Sequence, residues 1–387
     1  MAENFLKRPL ALAKYQKLRE KHSLILIEGL RGVGKSTFLR QIAAQLMTEG
    51  VGEEALVFVD FEGLRYGESL DTAALRQYAE KMLSAGREIY LFLDELTDAA
   101  LFDEIVGALY LNRRLHIIIA ASNGGIAEQE LAGVLSGGFG RIVLLPLSFG
   151  EALAQIAGVD LANYMAHSAL PAAILAGDFG AKVLKSLLDG IFYREILLRR
   201  HLRDGELIAD FMTAISLELG RLTSPTAIAR RLTEMGRKVS PKTAMDYIEA
   251  LVSARVIHFV PRYDCKKGAF IAGTGKYYLA DAGIAPIFIS NVPEKGLMEN
   301  VIYLELLRRY KEEFFVGQMG RSEVTFTVPG KRALVFTDEP LIGKAERLLT
   351  RLPFLGEKIL LTKGDEDTNY QGVHIMGVEN FLKAATL

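Results

Sequence analysis

The first 150 residues predict a parallel α/β sheet, and two observations carry that prediction. Short, nearly all-apolar runs alternate with helical patterns, and each run has the length of a strand covered on both faces. A glycine-rich turn also sits between the first such run and an amphipathic helix. The candidate strands are Ser23–Glu28, Ala55–Asp60, Ile89–Asp94, Leu115–Ala121 and Arg141–Leu145. Before the last of them Gly124, Gly125, Gly137, Gly138 and Gly140 crowd one stretch, which reads as a loop.

Composition bounds the rest. The chain has 387 residues, enough for two to four domains at roughly 100–200 residues each. With half the residues hydrophobic and a net charge of −1, it can bury a core and is not mostly disordered. The single Cys265 excludes a disulfide scaffold or a cysteine zinc site and points to a reducing, cytoplasmic setting. No apolar run approaches the roughly 18 residues of a bilayer span, and the charged amino-terminal segment has no secretory pattern.

From Pro146 the pattern turns helical, with Leu184, Leu187, Leu188, Ile191 and Phe192 at helix spacing. Ser224-Pro225 and Ser240-Pro241 each place a capping hydroxyl before a first-turn proline. The second of these helices is expected to carry Met245, Ile248, Leu251 and Val252 on one face. Two apolar runs joined through Asp264–Gly268 follow, completing a helix, turn, helix, hairpin order of winged-helix type. The last hundred residues predict a helix over Leu297–Tyr310 and strands near Glu323–Val328, Ala333–Phe336 and Lys358–Leu361.

Gly29-Leu30-Arg31-Gly32-Val33-Gly34-Lys35-Ser36 matches G-x-x-x-x-G-K-[ST], with a strand before it and a helix after it. The glycines let backbone amides curl around phosphates, and the helix start adds its dipole. Gly29, Arg31, Gly32, Val33, Gly34, Lys35, Ser36 and Thr37 are therefore the candidate ATP contacts. Lys35 is expected on the β- and γ-phosphates, Ser36 on Mg²⁺, and the Thr37 amide on the α-phosphate. The run Ile89–Leu93 ends in Asp94 and Glu95, which suit holding Mg²⁺ through its water shell and polarising the attacking water, respectively. This adjacent pair favours hydrolysis of ATP over phosphoryl transfer to a metabolite. Ser122 and Asn123, ending the next strand, are candidates to touch the γ-phosphate or the water. Thr362-Lys363-Gly364-Asp365 looks like a guanine-reading tetrapeptide but lies too far along the chain, so adenine is the expected base.

Taken with Pro146-Leu147-Ser148-Phe149, Leu170-Pro171, Tyr193-Arg194-Glu195-Ile196, Lys276-Tyr277-Tyr278-Leu279-Ala280-Asp281 and Gly296-Leu297-Met298-Glu299-Asn300, these motifs resemble a prokaryotic AAA-type P-loop ATPase family. The resemblance implies an AAA/ASCE-type parallel sheet over residues 1–150 and a helical lid over 151–205. It further implies a winged helix over 206–283 and a restriction-endonuclease-like α/β domain of PD-(D/E)xK type over 284–387. Two departures from the family pattern stand out. Leu135-Ser136-Gly137-Gly138 lacks the arginine expected before the fifth strand, leaving Arg141 as a substitute contact and predicting slow hydrolysis. In the last domain Glu299 matches the first acid, but Ser322-Glu323-Val324-Thr325-Phe326 has Thr325 in place of the metal-bridging carboxylate. Ala333-Leu334-Val335-Phe336-Thr337 also lacks Glu-x-Lys, and Glu323 is expected on the opposite face, so the domain is expected not to cleave DNA.

Three functions follow. The first is an ATPase whose nucleotide state controls a winged-helix contact with double-stranded DNA. From Arg221 to Lys267 ten residues are basic and four acidic, and Arg237, Lys238 and Lys242 flank the start of the second helix, where groove contacts begin. The second is a nucleotide-gated signalling switch that binds a protein partner with little turnover. The third, an active nuclease, conflicts with the missing acids. The oligomeric state, and with it any arginine supplied by a neighbouring subunit, is left open.

Overall fold

The computed structural model describes residues 5–61, 72–95, 112–122, 138–198, 200, 202, 204–310, 313–337, 342–353 and 356–383. They divide into two compact units, Met1–Leu145 and Pro146–Leu387.

The first unit holds α1 (Pro9–Arg19), β1 (Leu24–Glu28), α2 (Lys35–Thr48), β2 (Leu56–Asp60), α3 (Thr72–Ser84), β3 (Ile89–Asp94), β4 (Leu115–Ala121) and β5 (Gly140–Val143). All five strands are parallel, in the order β2-β3-β4-β1-β5. Every residue of β1 is buried, and alternate side chains of β1, β3 and β4 (Leu24, Leu26, Leu91, Leu93, Ile117, Ile119) form one core layer with α3 residues such as Leu83. A strand buried on both faces has no polar face to show, which is why apolar runs located these strands. The expected strand Arg141–Leu145 is observed as Gly140–Val143, although Leu144 still donates its amide to Glu28 O at 2.7 Å. Because β1 and β3 flank β4, the segments leaving their carboxyl ends converge at one edge of the sheet, where open α/β sheets bind ligands.

The second unit begins with the helices α4 (Phe149–Gln155), α5 (Leu161–Ala166), α6 (Pro171–Leu175) and α7 (Gly180–Ile191), the last continued by a π-helix over Phe192–Leu198. Next come α8 (Gly205–Leu217), α9 (Pro225–Glu234), α10 (Pro241–Ser253), β6 (Ile257–Asp264), β7 (Ala269–Leu279), α11 (Ala285–Phe288) and α12 (Glu294–Arg309). The unit closes with β8 (Phe315–Met319), β9 (Ser322–Val328), β10 (Arg332–Phe336), α13 (Ile342–Thr350), β11 (Glu357–Thr362), β12 (Asp367–Tyr370), β13 (Val373–Gly377) and α14 (Val378–Lys383). Its eight strands form one sheet in the order β12-β13-β11-β10-β9-β8-β6-β7. The sheet runs across the boundary expected at 283/284: β6 pairs with β8 in parallel, from Arg262↔Val316 to Asp264↔Gln318. Strands β8, β12 and β13 escape a hydropathy reading because they are short, and β12 is an edge strand exposed along its whole length. Among the described residues no helix is long and apolar enough to cross a membrane.

The motif residues of the second unit meet around α12. Asn300 accepts from Leu279 N at 2.6 Å and donates to Leu279 O at 3.0 Å, completing the hydrogen bonding of the last β7 residue. Gly296 lies so close to Leu219 that a Cβ would stand 2.2 Å from its carbonyl oxygen, so only glycine fits there. Arg308 donates to the carbonyls of Pro146 and Leu147. Asp281, buried, accepts from the amides of Ala169 and Gly283 at 2.8 and 2.9 Å and ties two loops together.

Burial pushes the Asp281 carboxyl up to about 6 from an ordinary 3.8, with the two backbone amides pulling it back only in part. The folded chain therefore binds a proton there that the unfolded chain releases, and this contribution to stability is lost as pH rises from about 4 to 6. His258, packed edge-on against Tyr303, is pushed down to about 4 by burial and then by Arg255, so its contribution runs the other way over the same interval. Asp281→Asn should remove the first effect and leave the second. Stability from urea unfolding should then rise more steeply between pH 4.5 and 6.5 than in the wild type, by at most about 3 kcal/mol. Equal slopes in the two proteins would contradict this assignment.

Candidate functional site

The glycine-rich segment joins the end of β1 to the start of α2, and its backbone explains the residue choice. Gly32 and Gly34 have φ of 84° and 93°, a region that side-chain-bearing residues rarely enter. Gly34 in this conformation turns the chain directly into α2, leaving the first-turn amides of Lys35, Ser36 and Thr37 without helical acceptors. Val33 is fully buried and donates its amide to Leu30 O at 3.1 Å, holding the turn closed. Ser36 is exposed and Arg31, Gly32, Gly34 and Thr37 are half-buried around it.

Lys35 is only 3% exposed. Its ammonium donates to Ser122 Oγ at 2.8 Å and Gly29 O at 3.3 Å, and it pairs with Glu95 Oε1 at 3.2 Å. Ser122 in turn donates to Glu95 Oε1 at 2.6 Å, closing a triangle across the ends of β3 and β4. Burial pushes the Lys35 ammonium below its ordinary pKa, against the pull of Glu95 and Asp94. Burial works to raise Glu95, but the charge of Lys35 and the Ser122 hydroxyl outweigh it, and the carboxyl sits below its usual range. Glu95 also has φ of 54°, a left-handed conformation that costs on the order of 1–3 kcal/mol in a non-glycine residue. That backbone turns the carboxylate back toward the phosphate loop immediately after the strand ends.

Asp94 behaves differently. Burial lifts its carboxyl above the ordinary value; a hydrogen bond from Ser36 pulls back, and the charges of Glu95 and Asp60 add to the lift. Its Oδ1 is buried without a hydrogen-bond partner. An unpartnered buried carboxylate oxygen beside a serine hydroxyl is a hard-oxygen donor set, and it suits Mg²⁺.

The structure thus brings Gly29, Arg31, Gly32, Val33, Gly34, Lys35, Ser36, Thr37, Asp94, Glu95 and Ser122 to one edge of the sheet. Asn123 and the Leu135–Gly137 segment lie outside the described residues. Arg141 is committed elsewhere: its guanidinium donates to Glu28 Oε2 at 2.5 Å, a carboxylate fully buried in β1. Strand parity was the missed signal, since Arg141 pairs with Leu26 on the neighbouring strand and Glu28 lies two residues further along the same face. Asp60 was also missed, although it ends an apolar strand just as Asp94 does.

In the second unit, Ser224 and Ser240 cap α9 and α10, accepting from Ala227 N at 3.2 Å and Thr243 N at 3.0 Å. The buried face of α10 is Ala244, Tyr247, Ile248 and Leu251; Met245 and Val252, expected beside them, are exposed. The correction is one of helical phase, because 244, 247, 248 and 251 follow the 3.6-residue period more closely. Lys238 and Lys242 are exposed. Arg237 is instead held by Glu206 Oε2 at 2.8 Å and Asp210 Oδ2 at 2.7 Å, so its charge is largely offset by α8.

A second buried lysine organises the carboxy-terminal sheet. Lys276, 1% exposed, pairs with Glu299 Oε2 at 2.8 Å and Glu323 Oε1 at 2.5 Å, and Tyr278 donates to Glu299 at 3.2 Å. Glu323 therefore lies on the Glu299 side and not the opposite face. Thr325 spends its hydroxyl on the Phe336 amide at 2.9 Å. Burial works to lower the Lys276 ammonium, but the two carboxylates outweigh it and keep it charged, while burial raises Glu299.

A five-stranded parallel sheet with a phosphate loop after β1 and an acid pair after β3 defines a P-loop domain of the AAA type. Residues 21–153 match the family described as an AAA domain, and residues 158–295 match a domain of unknown function, DUF8612. The chain is 26% identical over 403 residues to an uncharacterized protein of Haemophilus influenzae, covering 99% of this chain and 100% of that one. It is 27% identical over 330 residues to an uncharacterized protein of Methanocaldococcus jannaschii, covering 79% of this chain and 72% of that one. Among solved structures it is similar to a Walker-type ATPase of Pyrococcus abyssi, with 16% identity and a TM-score of 0.48 over 74% of this chain and 97% of that one.

Removing the Lys276 ammonium would leave Glu299 buried beside Glu323 with no cation. Lys276→Ala should destabilise the chain by about 3–5 kcal/mol in denaturant unfolding, the usual cost of breaking a buried pair from one side. A loss below about 1 kcal/mol, the range of exposed pairs, would show that the cluster is effectively solvated.

Proposed function

We propose that this chain is an ATPase that binds Mg·ATP at Gly29–Thr37, hydrolyses it slowly, and uses its nucleotide state to control the binding of a partner through a winged helix over 206–283. The observation that carries the reading is the convergence of Lys35, Ser36, Asp94 and Glu95 on one sheet edge, with Asp94 Oδ1 buried and unpartnered. Lys35 and the first-turn amides of α2 hold the phosphates, while Ser36 and Asp94 hold the Mg²⁺. That ion neutralises phosphate charge when bound. Glu95, now tied to Lys35 and Ser122, is the base: a γ-phosphate competing for the Lys35 ammonium frees its carboxylate to take a proton from the attacking water. Ser122 stays within reach of both groups and orients the water or the γ-phosphate, a role shared with Asn123. Slow turnover follows from the Leu135–Gly138 segment, which brings no arginine, and from Arg141 being held by Glu28.

For the partner, the exposed face of α10 favours a protein. It presents Met245 and Val252 with Asp246 and Glu249 against the one cation Lys242, and Arg237 is already neutralised. Two acids and two apolar side chains suit a protein surface better than a phosphate backbone. The second reading is double-stranded DNA, which the exposed Lys238, Lys242, Lys266 and Lys267 and the local basic excess support. The carboxy-terminal domain is read as a packing or recognition surface and not a nuclease, because Lys276 stands between Glu299 and Glu323 and Thr325 lacks a carboxylate.

Lys35→Ala should lose nucleotide binding measured by calorimetry or with a fluorescent nucleotide; unchanged affinity would remove the site assignment. Glu95→Gln should bind nucleotide and turn over about 100-fold more slowly, the effect of losing a general base. Wild-type turnover in Glu95→Gln would sink its role as base.

The partner readings separate in a salt series. On the protein-partner reading, duplex DNA should show no shift at low salt with or without ATP, and should be recovered uncut after incubation with Mg²⁺ or Mn²⁺. A shift that falls steeply with salt and disappears on joint replacement of Lys238 and Lys242 by glutamate would establish the DNA reading instead.

A further inference from the structure

We propose that Asp60 is a third side chain of the metal–nucleotide site and orders the water shell of the ion held by Ser36 and Asp94. The proposal rests on the reading of Gly29–Thr37 as a Mg·ATP site. Asp60 and Asp94 are register partners on β2 and β3, each the last residue of its strand. Neighbouring strands run about 4.8 Å apart, and residues paired in register point to the same face. Two residues earlier on that face, the rings of Phe58 and Phe92 stack at 4.4 Å with an interplanar angle of 8°, so side chains of the two strands are in lateral contact there. The carboxylates of Asp60 and Asp94 occupy the next step of the same ladder. Together with Ser36 and Arg40 they line a cavity of about 200 Å³.

The charges are consistent with that geometry. Asp60 and Asp94 place two like charges at paired positions of neighbouring strands. Arg40 gives the cavity one positive charge against two negative ones, which leaves it attractive to a cation. A divalent ion between them turns a repulsion into two attractions. Mg²⁺ keeps several of its waters in such sites, and an exposed carboxylate one strand away from Asp94 would accept hydrogen bonds from them. Asp60 is thus a positioning residue that acts through water, with Asp94 and Ser36 closer to the ion.

The test uses the full chain with ADP, which avoids turnover, and Mn²⁺ as the probe, with bound Mn²⁺ read by electron paramagnetic resonance. Asp60→Asn should raise the Mn²⁺ concentration for half-saturation by about tenfold, the lower end for loss of an outer-shell partner. Its ADP affinity in EDTA should equal that of the wild type, and Asp60→Glu should restore most of the metal affinity. The same Mn²⁺ midpoint in Asp60→Asn and wild type, with Ser36→Ala weakened, would overturn the proposal and leave the nucleotide site standing. Loss of ADP affinity in EDTA by Asp60→Asn would also overturn it, since the residue would then be supporting the strand. If the wild-type chain bound no nucleotide with or without metal, the site reading itself would fall, and this one with it.

Discussion

The nucleotide site depends on one buried charge. The Lys35 ammonium sits at the start of α2 with almost no access to water, and it is tolerable there only because Glu95, Ser122 and the Gly29 carbonyl surround it. Each of those partners comes from a different segment leaving the sheet. The strand order that puts β4 between β1 and β3 is what allows the three segments to meet. The strained φ of Glu95 follows from the same demand, since an extended continuation of β3 would carry the carboxylate past the loop. An incoming phosphate offers Lys35 a stronger partner than Glu95 does. On the proposed function, nucleotide binding and release of the Glu95 carboxylate would be one electrostatic exchange.

The second unit repeats this logic for a different end. Lys276 between Glu299 and Glu323 is a buried cation matched to two acids, supported by the Tyr278 hydroxyl. A divalent ion in a nuclease would sit among carboxylates in the same way, but here the cation is part of the chain and cannot exchange. The Lys276 ammonium occupies the space between the two acids, which is why the proposed function reads this domain as a packing or recognition surface. Around it Asn300 fastens α12 to the end of β7, Gly296 lets α12 approach Leu219, and Asp281 ties together the loops at Ala169 and Gly283. The motif residues that look scattered in the chain are neighbours because they brace one helix.

Much of the site was legible because its chemistry is local. Gly29–Ser36 must turn within eight residues, so glycine, lysine and serine appear at fixed offsets. Asp94 and Glu95 end an apolar run that only a buried strand explains. Partner choice was harder to read. The basic tally from Arg221 to Lys267 counted Arg237 as available, yet Glu206 and Asp210 lie about thirty residues earlier and take its charge through a helix contact that no spacing rule reports. Met245 and Val252 were placed on the wrong side of α10 because four apolar residues allowed two helical phases, and packing selected one.

The amino-acid sequence alone determined the parallel sheet of the first unit, its phosphate loop and the acid pair, because each rests on hydropathy period or backbone conformation within a few residues. Tertiary structure decided the rest. It set which acids answer Lys35 and Lys276, drew Arg141 to Glu28, brought Asp60 level with Asp94, and joined the hairpin β6–β7 to the carboxy-terminal strands in one sheet. Charge pairing and strand register act between residues tens to hundreds of positions apart, and their partners are chosen by which surfaces the apolar core brings together.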